Sequence, residues 1–109
     1  MRVLIFEDNL MWSVRLRASV VALGHEAQVI DRVEAELPVG DLAIVNLGSD
    51  KLPAAELVPR LKAEGVHVVG HAGHKEKPLA QLGNELGCDQ VVSNSVITFH
   101  LSKVLELSQ

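Results

Sequence analysis

The chain has 109 residues with 10 Lys and Arg against 14 Asp and Glu, a formal charge of −4, and it is 48% apolar and 22% charged. That suits a single hydrophobic core of about 100–150 residues and is far from a disordered profile. The acidic balance without a basic cluster argues against nucleic acid, no apolar run approaches the roughly 20 residues that span a bilayer, and one cysteine, Cys88, excludes an internal disulfide or a multi-cysteine metal site.

The opening Met-Arg runs straight into the apolar stretch Val3–Phe6, with no h-region or cleavage site of a signal peptide, so a cytoplasmic protein is expected. Val3–Phe6 reads as a strand covered on both faces, because its apolar residues are continuous rather than alternating. Leu10–Leu23 spaces Trp12, Leu16, Val20 and Leu23 at helical intervals. Ala27–Ile30 is a second strand, and Asp31–Leu37 a short helix. Leu42–Val45 is a third strand. Ala54–Glu64 reads as a helix closed by Gly65, in which Pro59 should leave a kink or a lost hydrogen bond. Val66–Val69 gives a fourth strand and Lys75–Leu86 a helix ending at Gly87. Val91-Val92 gives a fifth strand, and Ile97–Leu107 a last helix with Ile97, Leu101, Val104 and Leu105 on one side.

Five strands alternating with five helices describe an α/β fold, a doubly wound parallel sheet in one domain spanning residues 1–109. Side chains at the C-terminal strand ends of such sheets meet in a crevice where the strand order reverses. Here those ends offer Glu7-Asp8, Asn46, Gly70-His71 and Ser93-Asn94.

Val3–Asn9, with two adjacent acids closing the first strand, resembles the opening of response-regulator receiver domains, the CheY-like phosphoacceptor modules of two-component signalling. Asp41–Leu47, Val68–Ala72 and Gly87–Ser95 resemble that family's third, fourth and fifth strands, so the resemblance covers the whole chain. It implies a flavodoxin-like sheet of strand order 2-1-3-4-5. It also places the family's phosphorylated aspartate at Asn46, its Thr or Ser at His71, its Lys-Pro at Asn94-Ser95 and its switch aromatic at Val91.

The departures from that pattern bear on function. The chemistry of the family it resembles needs a carboxylate nucleophile, with Mg²⁺ and a lysine neutralising the phosphoryl oxygens. The amide nitrogen of Asn46 has its lone pair delocalised into the carbonyl and cannot make an acyl phosphate. Asn94 supplies no cation, His71 no hydroxyl and Val91 no aromatic ring. The chain therefore resembles a degenerate receiver, a pseudo-receiver that is not an enzyme and is not phosphorylated on the usual residue. With no output domain of its own, it is expected to act through a protein partner, a second copy of itself included, independently of phosphorylation. By resemblance the contact face would involve Lys75–Leu86, Val91-Val92 and Ile97–Leu107.

Several side chains carry alternatives. Asp8, with Glu7 acting through water and Asn46 through its amide oxygen, could hold Mg²⁺ weakly, although two carboxylates are few for that ion; otherwise the acids are solvated, and no cofactor is expected. His71 and His74, near His67 in sequence, could approach the acids as transition-metal ligands, but no metal-ligand spacing supports this. Negative charge beside His71 would raise its pKa and suit a pH sensor. A small-molecule or metal sensor in the emptied crevice, or phosphorylation at Asp50, are the alternative functions. The glycines of Gly70–His74 are expected to let the chain turn rather than cradle an anion. Cys88 is expected to be a partly buried, unreactive thiol, and Trp12 to pack in or beside the crevice.

Overall fold

The computed structural model describes residues 1–108. Its strands are β1 (Arg2–Phe6), β2 (Glu26–Ile30), β3 (Leu42–Asn46), β4 (His67–Ala72) and β5 (Gln90–Ser93). All neighbours pair in parallel in the order β2-β1-β3-β4-β5. The helices are α1 (Leu10–Ala22), α2 (Ala54–Ala63), α3 (Lys77–Leu86), α4 (Asn94–Phe99) and α5 (Leu101–Glu106). Among the described residues no helix is long and apolar enough to cross a membrane.

Side chains alternate across a strand, and the continuous apolar runs feed two cores. Leu4, Phe6, Ala43, Val45 and Val68 face α2 and α3, where Leu57, Val58 and Leu61 are buried. Val3, Ile5, Leu42, Ile44 and Val69 face α1, α4 and α5, against Leu16, Val20, Ile97, Leu101 and Val104. Both faces are covered, as the absence of alternation in the strands requires.

Two expectations are corrected, although the number of helices is as expected. Asp31–Leu37 forms no helix; bends and irregular chain lead from β2 to β3. A helical Glu34 carbonyl would need a donor from residue 38, which is proline and has none. Instead the Glu34 and Ala35 carbonyls accept from Arg60 Nη2 at 3.0 and 2.8 Å, and Val33 and Leu37 still pack on the core. The crossover then runs tight over β1: a Cβ at Gly40 would stand 2.6 Å from Leu4 Cγ.

The expected Ile97–Leu107 helix starts earlier and breaks. Ser93 Oγ accepts from Val96 N and caps α4 at Asn94. His100, with φ −129° and ψ 30°, ends α4 and begins α5. Val96-Ile97-Thr98-Phe99 are all modest helix formers, which leaves helical continuity weak here, and Ile97, Leu101, Val104 and Leu105 are buried on both sides of the break. Elsewhere the boundaries shift slightly. β4 continues to Ala72, which puts His71 inside the strand, and α3 begins at Lys77.

Candidate functional site

The sheet register assembles the site. Val3, Ile5 and Glu7 lie on one face of β1 and its extension, Leu42, Ile44 and Asn46 on the same face of β3, and Val69 and His71 on that of β4. Phe6 is level with Val45, and Asn46 with His71. Each apolar ladder facing α1 thus ends in one polar side chain at the C-terminal edge, and the three stand side by side. Asn94 reaches in from the first turn of α4. Together with Asn9 and Trp12 they line a crevice of about 200 Å³.

The acid pair divides its roles. Glu7 is buried, 2% exposed, whereas Asp8 is half-buried. Asn46 Nδ2 donates to Glu7 Oε1 and Oε2 at 3.1 and 3.0 Å, and Asn9 N donates to Oε1 at 3.1 Å. Burial pushes the Glu7 carboxyl above its ordinary range, with neighbouring Asp8 adding to the rise, against the lowering effect of the Asn9 and Asn46 donors. The Asn46 amide oxygen accepts from Gly48 N at 2.9 Å, so it is turned to its own loop and away from the acids. Asp8 Oδ2 accepts from Ser49 Oγ at 3.0 Å, and Ser49 Oγ accepts from Leu52 N.

His71, also 2% exposed, is held from two sides. Its Nδ1 lies 2.7 Å from Asn94 Oδ1, and its ring lies 4.9 Å from the Trp12 ring at an interplanar angle of 39°. Its Nε2 is buried without a hydrogen-bond partner and stands 4.0 Å from Glu7 Oε2. A buried polar atom left so costs about 1–3 kcal/mol. The expected rise in the His71 pKa is reversed: burial lowers it, and the Asn94 contact only partly opposes this.

The structure therefore brings together Glu7, Asn46, His71 and Asn94, with Asp8 beside them, and places Trp12 over His71. Val91 lies elsewhere. It is level with Gly70 on the opposite face of the sheet, against α3. Asp50 is exposed on the loop after β3, and His74 is exposed beyond β4. Among the described residues no three His, Cys, Asp or Glu side chains converge on a common point, so the transition-metal reading of His71 and His74 is not assembled.

The donors also fit Mg²⁺ poorly. Glu7 is the one carboxylate lining the crevice, buried under amide donors, Asp8 is tied to Ser49 beside it, and the spare atom is an imidazole nitrogen, whereas Mg²⁺ takes oxygen. Neither acid is assigned as a ligand. The Gly70–Gly73 stretch does not turn on positive φ angles. Gly70 makes room for Leu47 and Cys88, and Gly73 N donates to Glu76 Oε1 at 2.9 Å. Cys88 is half-buried, its thiol pushed up by burial, with Asp89 adding to the rise.

Sequence reasoning missed Asn9 and Ser49. Asn9 Oδ1 accepts from Trp12 N, which caps α1, while its backbone N–H holds Glu7; an asparagine just before a helical pattern is a legible cap signal. Ser49 sits beside the more conspicuous Asp50, and nothing in its spacing marks it as the partner of Asp8.

No family model matches the chain, and no curated protein does. Solved structures do match it in fold. The response-regulator receiver domain protein of Clostridium thermocellum superposes with a TM-score of 0.82 at 16% identity, covering 98% of this chain and 92% of that one. HP1043, an orphan response regulator of Helicobacter pylori, gives 0.80 at 19% identity over 100% and 97%. A CheY-like receiver domain protein of Methanospirillum hungatei gives 0.78 at 18% over 98% and 92%. The chain thus shares the flavodoxin-like fold of receiver domains.

Proposed function

We propose that this chain is a pseudo-receiver: a regulatory module of signal transduction that works by binding a protein partner, without phosphorylation and without enzymatic activity. The observation that carries the reading is Asn46. At the strand end where a receiver's acceptor carboxylate would stand, an amide donates to both oxygens of Glu7. Glu7 is held by a neutral donor, and an amide is no nucleophile toward phosphorus. His71 accompanies it at the place of a hydroxyl residue, held to Asn94 at the place of the lysine.

The binding surface in this reading wraps the β5 edge, with α3 on one side of the sheet and α4 and α5 on the other. Phe99 and Leu107 are 77% and 68% exposed there. Leu107 also lines, with Val92, Val96 and Val104, a mainly apolar notch of about 330 Å³. Large exposed aromatic residues are frequent anchors of protein interfaces. The occupant is a separate protein or a second copy of the chain.

The test is treatment with a small phosphodonor and Mg²⁺ followed by intact mass measurement. No covalent phosphoryl adduct is expected. An adduct on any residue of the folded chain would overturn the reading, and peptide mapping would then tell Asp50 from the crevice acids.

A further inference from the structure

Among the described residues, the buried side-chain atom left without a partner is His71 Nε2. The other ring nitrogen faces Asn94 Oδ1, an acceptor, at 2.7 Å. In the neutral ring Nδ1 therefore carries the hydrogen, and Nε2 holds a lone pair. That lone pair is 4.0 Å from Glu7 Oε2, so two acceptors face each other inside the protein. The crevice is lined by Glu7, Asn9, Trp12, Asn46, His71 and Asn94, with no lysine or arginine among them. What the pair lacks is one donor, and no fixed cation is placed to substitute for it.

We propose that Glu7 and His71 form a proton-holding pair in which uptake of one proton joins His71 Nε2 and Glu7 Oε2 in a hydrogen bond across the crevice. The proton comes from solvent and rests on the imidazole or on the carboxyl; no other bond forms or breaks. The two groups titrate as a unit rather than separately. Each side presents a known neighbour. Asp8, in the loop after β1, adds negative charge beside Glu7. β3 contributes the neutral Asn46, α1 the uncharged Trp12 and α4 the neutral Asn94. With the proton on the imidazole the charge-assisted bond would be about 2.7–2.9 Å long, so its formation draws His71 Nε2 and Glu7 Oε2 together by roughly 1 Å from their present 4.0 Å. His71 carries Trp12 and the first residue of α4 with it. The inference deepens the pseudo-receiver reading by naming acidity as the input, and it rests on that reading only for the regulatory use, not for the proton itself.

Two measurements on the intact chain test it. Trp12 is the single tryptophan and there is no tyrosine, so intrinsic fluorescence reports on the ring beside His71. The expected result is one single-proton step in Trp12 emission between about pH 4.5 and 6.5, the span of the two ordinary side-chain values, with far-UV dichroism unchanged. Nitrogen NMR of the His71 ring should show the Nδ1–H tautomer above the step and both nitrogens protonated, or Nε2 hydrogen-bonded to a carboxyl proton, below it. Glu7→Gln should abolish the step. If that variant does not fold, the NMR titration of the unaltered chain decides alone. A flat titration down to acid unfolding, a resting Nε2–H tautomer or a step that survives in folded Glu7→Gln overturns the proposal. A phosphoryl adduct under phosphodonor would overturn the pseudo-receiver reading and leave the proton step standing, so the two failures are distinguishable.

Discussion

Replacing Asn46 with aspartate would set a second carboxylate against Glu7 in the crevice, at a cost that the geometry sets. The amide that now donates to both Glu7 oxygens, at 3.0 and 3.1 Å, would become an acceptor facing an acceptor. At about 3 Å and an effective dielectric of about 20, two unit charges repel by roughly 5 kcal/mol. Protonation of one carboxyl limits that penalty. Lifting a carboxyl pKa from about 4 to 7 corresponds to about 4 kcal/mol, at roughly 1.4 kcal/mol per unit. The protonated group can then donate in place of the lost amide. Asn46→Asp should therefore destabilise the fold by about 3–4 kcal/mol at pH 7 and by only about 1 kcal/mol at pH 5. The sign comes from linkage: a carboxyl pKa raised on folding opposes the fold above that pKa, and the penalty fades as pH falls toward the unfolded value. Urea denaturation at the two pH values measures both numbers, and the pH 7 loss corresponds to roughly 15 °C in a thermal scan. Asn46→Ala should lose about 1.5–3 kcal/mol for the charged hydrogen bond, with much less dependence on pH. Unchanged stability of Asn46→Asp at pH 7, or a loss of equal size at pH 5, would refute the account of Glu7 as a buried carboxyl held by the Asn46 amide.

Single contacts elsewhere in the fold carry further expectations. Asp89 accepts from Lys62 Nζ at 2.7 Å and from Val68 N at 2.8 Å. Burial raises its pKa, but these donors and His67 outweigh that and leave it lowered. It should therefore stabilise the fold above its ordinary value near 4, a contribution lost as pH falls through the depressed value. Because its side chain is 31% exposed, Asp89→Asn should cost only about 1 kcal/mol at pH 7 in urea denaturation. In α3, Gly83→Ala gains helix propensity, yet the new Cβ would meet Leu47 Cδ1 at 2.8 Å and Val91 Cγ2 at 3.1 Å. A net loss of about 1–2 kcal/mol is expected by thermal unfolding, since overpacking outweighs the propensity gain. Phe99→Ser should leave stability within about 0.5 kcal/mol, because the ring is 77% exposed. Should α4 form the partner surface, the same variant should weaken binding or self-association, read by analytical ultracentrifugation or by titration against the partner.

The sheet and the side chains at its edge were legible in residue order alone. Continuous apolar runs announced buried parallel strands and pointed to Glu7, Asn46 and His71 at or just past their ends, and the register of the sheet put those three on one face. Local chemistry of that kind is carried by residue type and spacing. The path of the chain where several weak local preferences compete was decided only in three dimensions. Asp31–Leu37 gave up helix because Pro38 removed a donor and Arg60, distant in sequence, satisfied the carbonyls instead. The last helix broke at His100, whose backbone leaves the helical region while Ile97 and Leu101 on either side stay buried. Tertiary structure also set the protonation balance of the crevice. A carboxyl near a histidine reads in sequence as a partner that raises its pKa, but the depth at which the sheet buries the ring reverses the sign. Desolvation depends on everything packed around a group, most of it remote in the chain, and no spacing of neighbouring residues encodes it.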